Sequence, residues 1–208
     1  MLLTCTDTRY KIDKDYFFEH YHGDGKETEN IRLLLWLIDN SDRVLRNDEA
    51  AYIMATVRHE CGPDFNMERK EWLDAPWLRG RILWYAEGFD YPGDPAKGGK
   101  PHPKTGHLYF GRGPHQLTWY CNYKHQGEKM GLDLIGNPDL MLEPLNGFES
   151  MLNFFYDGDG TGGKYKMNQF FFADKSYAYF ARKMINGLDH ANLIEDYFQE
   201  FFGAIRYI

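Results

Sequence analysis

Hydrophobic residues recur at helical spacing along most of this chain. Ile31, Leu34, Leu35 and Ile38 follow the i, i+3, i+4, i+7 rule of one buried helix face, and Thr28 stands where a cap is needed. A second stripe, Ala50, Ile53, Val57 and then Glu60, follows Asn47 and Asp48 as cap candidates and is stopped by Gly62-Pro63. Pro144 suits the first turn of a helix presenting Leu145, Phe148, Leu152 and Phe155. Asp174 is placed to cap a helix with Tyr177, Ala181 and Met184, ended by Gly187. Asp189 can start the last, with Ile194, Tyr197, Phe198, Phe201 and Ile205 inward. Tyr91 to Gly106 reads as a surface loop rich in Pro, Gly and Lys, Asp157 to Gly163 as a glycine-rich loop, and a small hairpin is expected near Leu108–Leu117. No repeat, low-complexity tract or linker divides the chain. The pattern predicts a mainly α fold in a single domain over residues 1–208, with 1–27 left unplaced.

Composition narrows the partners. With 208 residues, 43% of them hydrophobic and 17% aromatic, the chain can bury a full core and is not disordered. A net charge of −7 argues against nucleic acid, which needs a clustered basic face. Cys5, Cys61 and Cys121 match no zinc or disulfide spacing and are expected as free thiols in a reducing compartment. The N-terminus lacks the apolar core of a signal peptide, and Leu33–Ile38, the longest apolar run, is too short for a bilayer. A monomer without stable membrane insertion is expected.

Glu60 is the first candidate for chemistry. It borders the buried stripe and sits at a helix C-terminus, where desolvation and the helix dipole both disfavour a negative charge, as a general acid near neutral pH requires. The alternative is a structural glutamate paired with Arg58 or a capping donor. A zinc reading of His59-Glu60 fails because Pro63 stands where the second His belongs, and His59 and Cys61 point apart on a helix. His20 and His22 read as surface residues, and Asp157-Gly-Asp159-Gly lacks the further acids of a calcium loop. No metal or cofactor is called for.

The second candidate is the strip Tyr109 to Tyr123, Tyr-Phe-Gly-Arg-Gly-Pro-His-Gln-Leu-Thr-Trp-Tyr-Cys-Asn-Tyr. Gly111 and Gly113 around Arg112 let the backbone turn tightly against a ligand. Gln116, Thr118 and Asn122 offer amides and a hydroxyl suited to sugar hydroxyls and N-acetyl groups, while Tyr109, Trp119 and Tyr123 offer stacking faces. The alternative is a hairpin whose aromatics are core and whose glycines serve turns.

These residues carry a resemblance. Gly111 to Tyr123 is similar to the Gly-Arg-Gly-Pro-Ile-Gln-Leu-Ser-Trp-Asn-Tyr-Asn-Tyr signature of family 19 glycoside hydrolases, the chitinases and related phage endolysins of the lysozyme-like superfamily. Ala51 to Glu60 resembles the Ala-Tyr-Ile-Leu-Ala-Thr-x-x-His-Glu helix of the phage and bacterial branch, and the stretches 131–140 and 181–191 are close as well. The likeness covers roughly residues 49–205. It implies a two-lobed, lysozyme-like fold with a cleft. It further implies Glu60 as general acid, Thr118 as holder of the attacking water, and Gln116, Asn122 and Asn186 as sugar ligands, with Tyr109, Trp119 and Arg112 beside them. The family inverts the anomeric centre with a second carboxylate as base, the two groups roughly 6.5–9.5 Å apart. Glu71, followed by Trp72, is ranked first for that base, Glu68 second and Glu87 third. Cys61 and Gly62-Pro63 depart from the family's residues after the acid.

The implied reaction is hydrolysis of β-1,4 bonds between N-acetylated amino sugars. Peptidoglycan is the first expected substrate, as for an endolysin of lysozyme type held in the cytoplasm until a holin-type pore or host lysis releases it. The alternatives are a chitinase and a non-catalytic glycan-binding relative.

Overall fold

The computed structural model describes residues 11–22, 28–71 and 105–208. Seven α-helices are present among them: α1 (Lys14–His20), α2 (Thr28–Asp39), α3 (Asn47–Cys61), α4 (Tyr120–Met130), α5 (Pro144–Leu152), α6 (Ala178–Ala181) and α7 (Ala191–Ala204). The one sheet among the described residues is an antiparallel pair, β1 (Phe171–Phe172) and β2 (Lys175–Ser176), with Phe171 opposite Ser176. The fold is mainly α, as the hydrophobic pattern predicts. Cys5, Trp72, Glu87 and most of the loop read from Tyr91 to Gly106 lie outside the described residues.

Helix α3 is the axis of the larger core. Ala50, Ile53, Met54 and Val57 have no exposed surface, and the helix packs on α7 through the buried Ile194, Phe198 and Phe201. Helix α2 adds Ile31, Leu34, Leu35 and Ile38, all at 1% exposure or less. Each such side chain contributes about 1.5–3 kcal/mol on leaving water, enough to override the modest helix propensity of β-branched residues. The first and last described residues meet here: Lys11 and Ile208 exchange backbone hydrogen bonds of 3.1 and 2.8 Å, and Asp13 pairs with Arg206. Cys61 is buried and Cys121 half-buried; both are free thiols, and burial pushes the Cys61 thiol up.

A second, smaller cluster collects Tyr109, Leu117, Tyr123, Leu134, Met141 and Phe154. It lies under a short hairpin in which Arg112 pairs with Leu117 (N···O 3.2 and 2.9 Å) and the Trp119 N–H reaches the Tyr109 carbonyl at 2.9 Å. Residues 69–71 add a third edge, Glu71 N–H to Gly111 O (2.8 Å) and Gly113 N–H to Arg69 O (3.1 Å). The hairpin expected near Leu108–Leu117 is therefore present.

The strip enters α4 at Tyr120, a helix whose polar sequence gives no apolar stripe to read. Two expectations need correction. Asp174 caps no helix. The chain reverses at Ala173 (φ +50°) to form the β1–β2 hairpin, and only four residues, Ala178–Ala181, are α-helical before a 3-10 turn over Arg182–Met184. Leu145 faces solvent, whereas Phe148, Leu152 and Phe155 point inward as expected, the last from a π turn (Asn153–Asp157) that extends α5.

Candidate functional site

The larger core fixes one wall. Helix α3 stops at Gly62 (φ +82°), a conformation that suits glycine, and this leaves Glu60 on the last turn at the border of the core. Its carboxylate, 14% exposed, accepts a hydrogen bond from Arg182 Nη1 at 2.7 Å. Arg182 is itself buried, and its Nε donates to the Asp189 carbonyl at 3.0 Å, so the guanidinium ties Glu60 to the turn that carries Asn186. The structural alternative is thus met in part, with a different partner. Glu60 is ion-paired, but to Arg182 rather than to the neighbouring Arg58, whose guanidinium lies over Phe65 and Tyr197. Nothing in the sequence spacing marks Arg182 as this partner, since 122 residues separate the two. His59, beside the acid, is half-buried, and burial lowers its pKa; its ring lies 5.2 Å from that of His190.

The hairpin fixes the other wall. A Cβ on Gly111 would fall 2.7 Å from Gln116 Oε1, so glycine is what lets the amide fold back over the strand. The Gln116 Nε2 then donates to Gly113 O (3.0 Å) and Arg69 O (3.3 Å). Gln116 and Trp119 both adopt left-handed φ, +53° and +77°, and strain of this kind is held only where the surroundings over-determine it, typically at functional sites. Thr118 Oγ1 donates to the Gln116 carbonyl at 2.6 Å, so its proton is committed and its lone pairs remain to accept. Asn122 Nδ2 donates to Thr118 O at 2.9 Å from the first turn of α4.

Between these walls lies a cavity of about 430 Å³, lined by Glu60, Gln116, Thr118, Trp119, Asn122 and Asn186, with His115, Leu117, Phe154, Gly160 and Ile185 completing it. Six of the nine predicted site residues therefore meet at one opening. Arg112 and Tyr109 do not. Arg112, 4% exposed, is spent on Asp139 (2.7 Å), the carbonyls of Leu108 and Phe110 (3.1 and 3.2 Å) and the Tyr123 hydroxyl (3.1 Å). Tyr109 is fully buried and donates its hydroxyl to Ile135 O at 2.9 Å. Tyr123 is likewise buried, with its hydroxyl on Phe110 O at 2.8 Å. These three hold the hairpin's shape and offer no surface to a sugar. Their packing is the reading of the strip as turn and core, realised for half of its signature residues.

Glu71 stands at the hairpin edge. Its Oε2 accepts from Gly111 N–H at 3.4 Å, and it is not among the described residues that line the cavity; nor is the exposed Glu68. His115 is the residue that the sequence reading left without a role. It is 2% exposed, its Nε2 lies 3.3 Å from Ser150 Oγ, its ring meets Phe154 edge-on, and burial alone pushes its pKa down to about 3. It enters the cavity wall as a neutral imidazole. Among the described residues no group of three or more His, Cys, Asp or Glu could hold a metal; Asp157 and Asp159 are taken by Lys129 at 2.8 Å each.

The sequence profile of the class I chitinase family matches residues 39–163, more than half of the chain, and includes Glu60, Glu71 and the whole hairpin. The chain belongs to glycoside hydrolase family 19. Its relatives include "Endochitinase 1" of Theobroma cacao, 49% identical over 51 residues (24% of this chain and 16% of the relative), and "Endochitinase 2" of Gossypium hirsutum, 32% identical over 116 residues (55% and 37%). The chain thus spans well under half the length of these curated relatives. "Inactive chitinase-like protein 1" of Hevea brasiliensis is 56% identical over 36 residues, 17% of this chain and 12% of the relative. In fold, the chain is similar to chitinase C from Streptomyces griseus HUT6037, with a TM-score of 0.55 at 22% identity over 95% of this chain and 93% of that one. The family 19 match ends before Arg182 and Asn186, so the part of the acid's wall that orients it lies outside the matched stretch.

Proposed function

We propose that this family 19 protein hydrolyses β-1,4 bonds between N-acetylated amino sugars, with chitin or chito-oligosaccharide as its first substrate. The observation that carries the reading is the Glu60 carboxylate opening onto the same cavity as Thr118, Gln116, Asn122 and Asn186. Membership of the family is insufficient by itself, because one relative is named inactive. The retained carboxylate in its cleft supports activity. Chitin takes precedence over peptidoglycan because the named relatives are endochitinases, which moves the endolysin reading to second place.

Glu60 delivers a proton to the glycosidic oxygen as the bond breaks. The Arg182 guanidinium, 2.7 Å away, then balances the carboxylate left behind, a charge that grows in the transition state where a fixed donor counts most. Thr118, its own proton engaged by Gln116 O, accepts from the attacking water and so turns that water's free lone pair toward the anomeric carbon. Glu71 is the base that would take the water's second proton in a single-step inversion, approaching from the hairpin edge at Gly111. Trp119, half-buried at the opening, gives the sugar ring a stacking face, and Gln116, Asn122 and Asn186 surround it with polar groups.

The test is incubation of the purified protein with chitohexaose and, separately, with a suspension of purified cell walls. Cleavage of the hexamer, with the α anomer of the fresh product seen first by NMR, is the expected result. Clearing of the walls without hexamer cleavage would put peptidoglycan first. Silence on both, with retained binding to insoluble glycan, would leave a binding module.

A further inference from the structure

Among the described residues, Lys14, Lys70, Lys124 and Lys129 are each paired with a carboxylate. Besides Lys11, those in no ion pair are Lys164, Lys166, Lys175 and Lys183, all within the stretch 162–184, where Asp174 is the sole acid. Three of them rest on aromatic rings instead. Lys164 Nζ lies 5.0 Å from the centre of Tyr165, Lys183 Nζ is 5.8 Å from that same ring and 5.2 Å from Phe180, and Lys175 Nζ is 5.9 Å from Phe172. A ring quadrupole holds a cation without neutralising it, so these charges remain available to an outside anion. Phe172, Tyr177 and Phe180 are themselves between 41% and 46% exposed, an unusual display of aromatic surface among cations.

The part of this patch formed by Lys164 and Lys183 adjoins the cleft. Gly160 lines the cavity and packs beneath Met184, for a Cβ there would fall 3.0 Å from the Met184 carbonyl and 2.4 Å from the Phe154 ring. The loop leading to Lys164 and the turn carrying Lys183 are therefore in contact, and the next lining residue after Lys183 is Ile185. In a chain of net charge −7, a local group of cations outside ion pairs would draw in an anion at close range.

We propose that Lys164 and Lys183, with Tyr165 and the exposed Phe180 ring beside them, form a cationic aromatic rim outside the cleft that binds a carboxylate-bearing glycan strand. The ammonium groups take the carboxylates and the rings take the sugar faces, so an acidic, N-acetylated polysaccharide is held beside the cavity in which Glu60 works. This goes beyond the proposed function, since chitin carries no carboxylate; it rests on that reading only for the place of the strand beside Glu60, and binding is measurable without turnover.

The test uses the full chain with Glu60→Gln, so that nothing is cleaved. Dissociation constants are measured for two soluble polymers of one backbone, carboxymethyl chitin and the neutral glycol chitin. The first should bind more tightly at low salt and lose that margin at high salt. Adding Lys164→Gln and Lys183→Gln should weaken carboxymethyl chitin about tenfold and move glycol chitin by no more than about twofold. Equal affinity for the two polymers, or equal losses for both in the double variant, would overturn the rim. So would duplex DNA binding as tightly as carboxymethyl chitin, which would make the patch a general polyanion surface. Failure of the wild-type protein to cleave either polymer would count against the chitin reading and leave these constants to decide the rim on their own.

Discussion

The two walls of the cleft are built on different principles. The wall that carries the acid stands on a large helical core, yet among the described residues the acid itself is steadied by a single charged contact, Glu60 to Arg182. The hairpin wall has a small core beneath it, but its posture is over-determined. Arg112 alone makes four polar contacts, Gly111 and Gly113 admit close neighbours, and the Tyr109 and Tyr123 hydroxyls each close on a backbone carbonyl. A residue that reacts needs room to change its protonation and its partner. A surface that must present Thr118 and Trp119 at fixed positions needs the opposite.

The largest effect that would break this contrast is on turnover. Glu60→Gln should cut hydrolysis of chitohexaose by about two to four orders of magnitude while the thermal midpoint stays near that of the wild type. Unchanged hydrolysis would take the chemistry away from this wall. On the other side, Arg112→Met should cost about 1–3 kcal/mol in urea unfolding, because the Leu108 carbonyl and one Asp139 oxygen lose their donor, while Asp139 keeps Lys70 and the Phe110 carbonyl keeps the Tyr123 hydroxyl. A variant that stays stable but fails to bind glycan would show that Arg112 is a ligand contact after all. Gly113→Ala should destabilise by about 1–3 kcal/mol, since its φ is +75° and the new Cβ would meet the Met141 carbonyl at 2.6 Å.

His115 sharpens the comparison through pH. In the unfolded chain its imidazole takes up a proton near 6.5, whereas the folded one resists down to about 3. Its depressed pKa therefore contributes stability in full above pH 6.5, and that contribution drains as pH falls toward 3, by about 1.4 kcal/mol per pH unit. His115→Ile should flatten the stability profile between pH 7 and 5, read by urea unfolding at each pH; an unaltered slope would mean that the ring is hydrated and not part of a closed wall. The smallest change is Thr118→Ser, which keeps the hydroxyl and should hold turnover within about threefold, against a loss of about tenfold or more for Thr118→Val. Equal activity in the two would release Thr118 from any part in placing water.

What the sequence disclosed follows the same division. Helices α2, α3 and α7 were legible because their inward faces repeat at the helical period, and Glu60 inherits its place from that repeat. Helix α4 was not, since Tyr120–Met130 buries little beyond Tyr123, Gln126 and Gly127 and shows no apolar stripe. The spacing Tyr177, Ala181, Met184 did mimic a helix, but β1 and β2 take the preceding residues and leave Tyr177 exposed. In the strip, an arginine and two tyrosines among glycines read equally well as ligands or as scaffold, and only their burial separates the two. Arg182 could not be found at all from a local pattern, because its meaning lies in a partner on another helix.

That long-range grip has a practical side. The stretch matched by the family profile stops at residue 163, nineteen positions short of the guanidinium that steadies the proton donor. A graft or truncation that kept only the recognisable portion would carry the acid without its tether, and engineers who trim to the familiar boundary would discard the part that aims it.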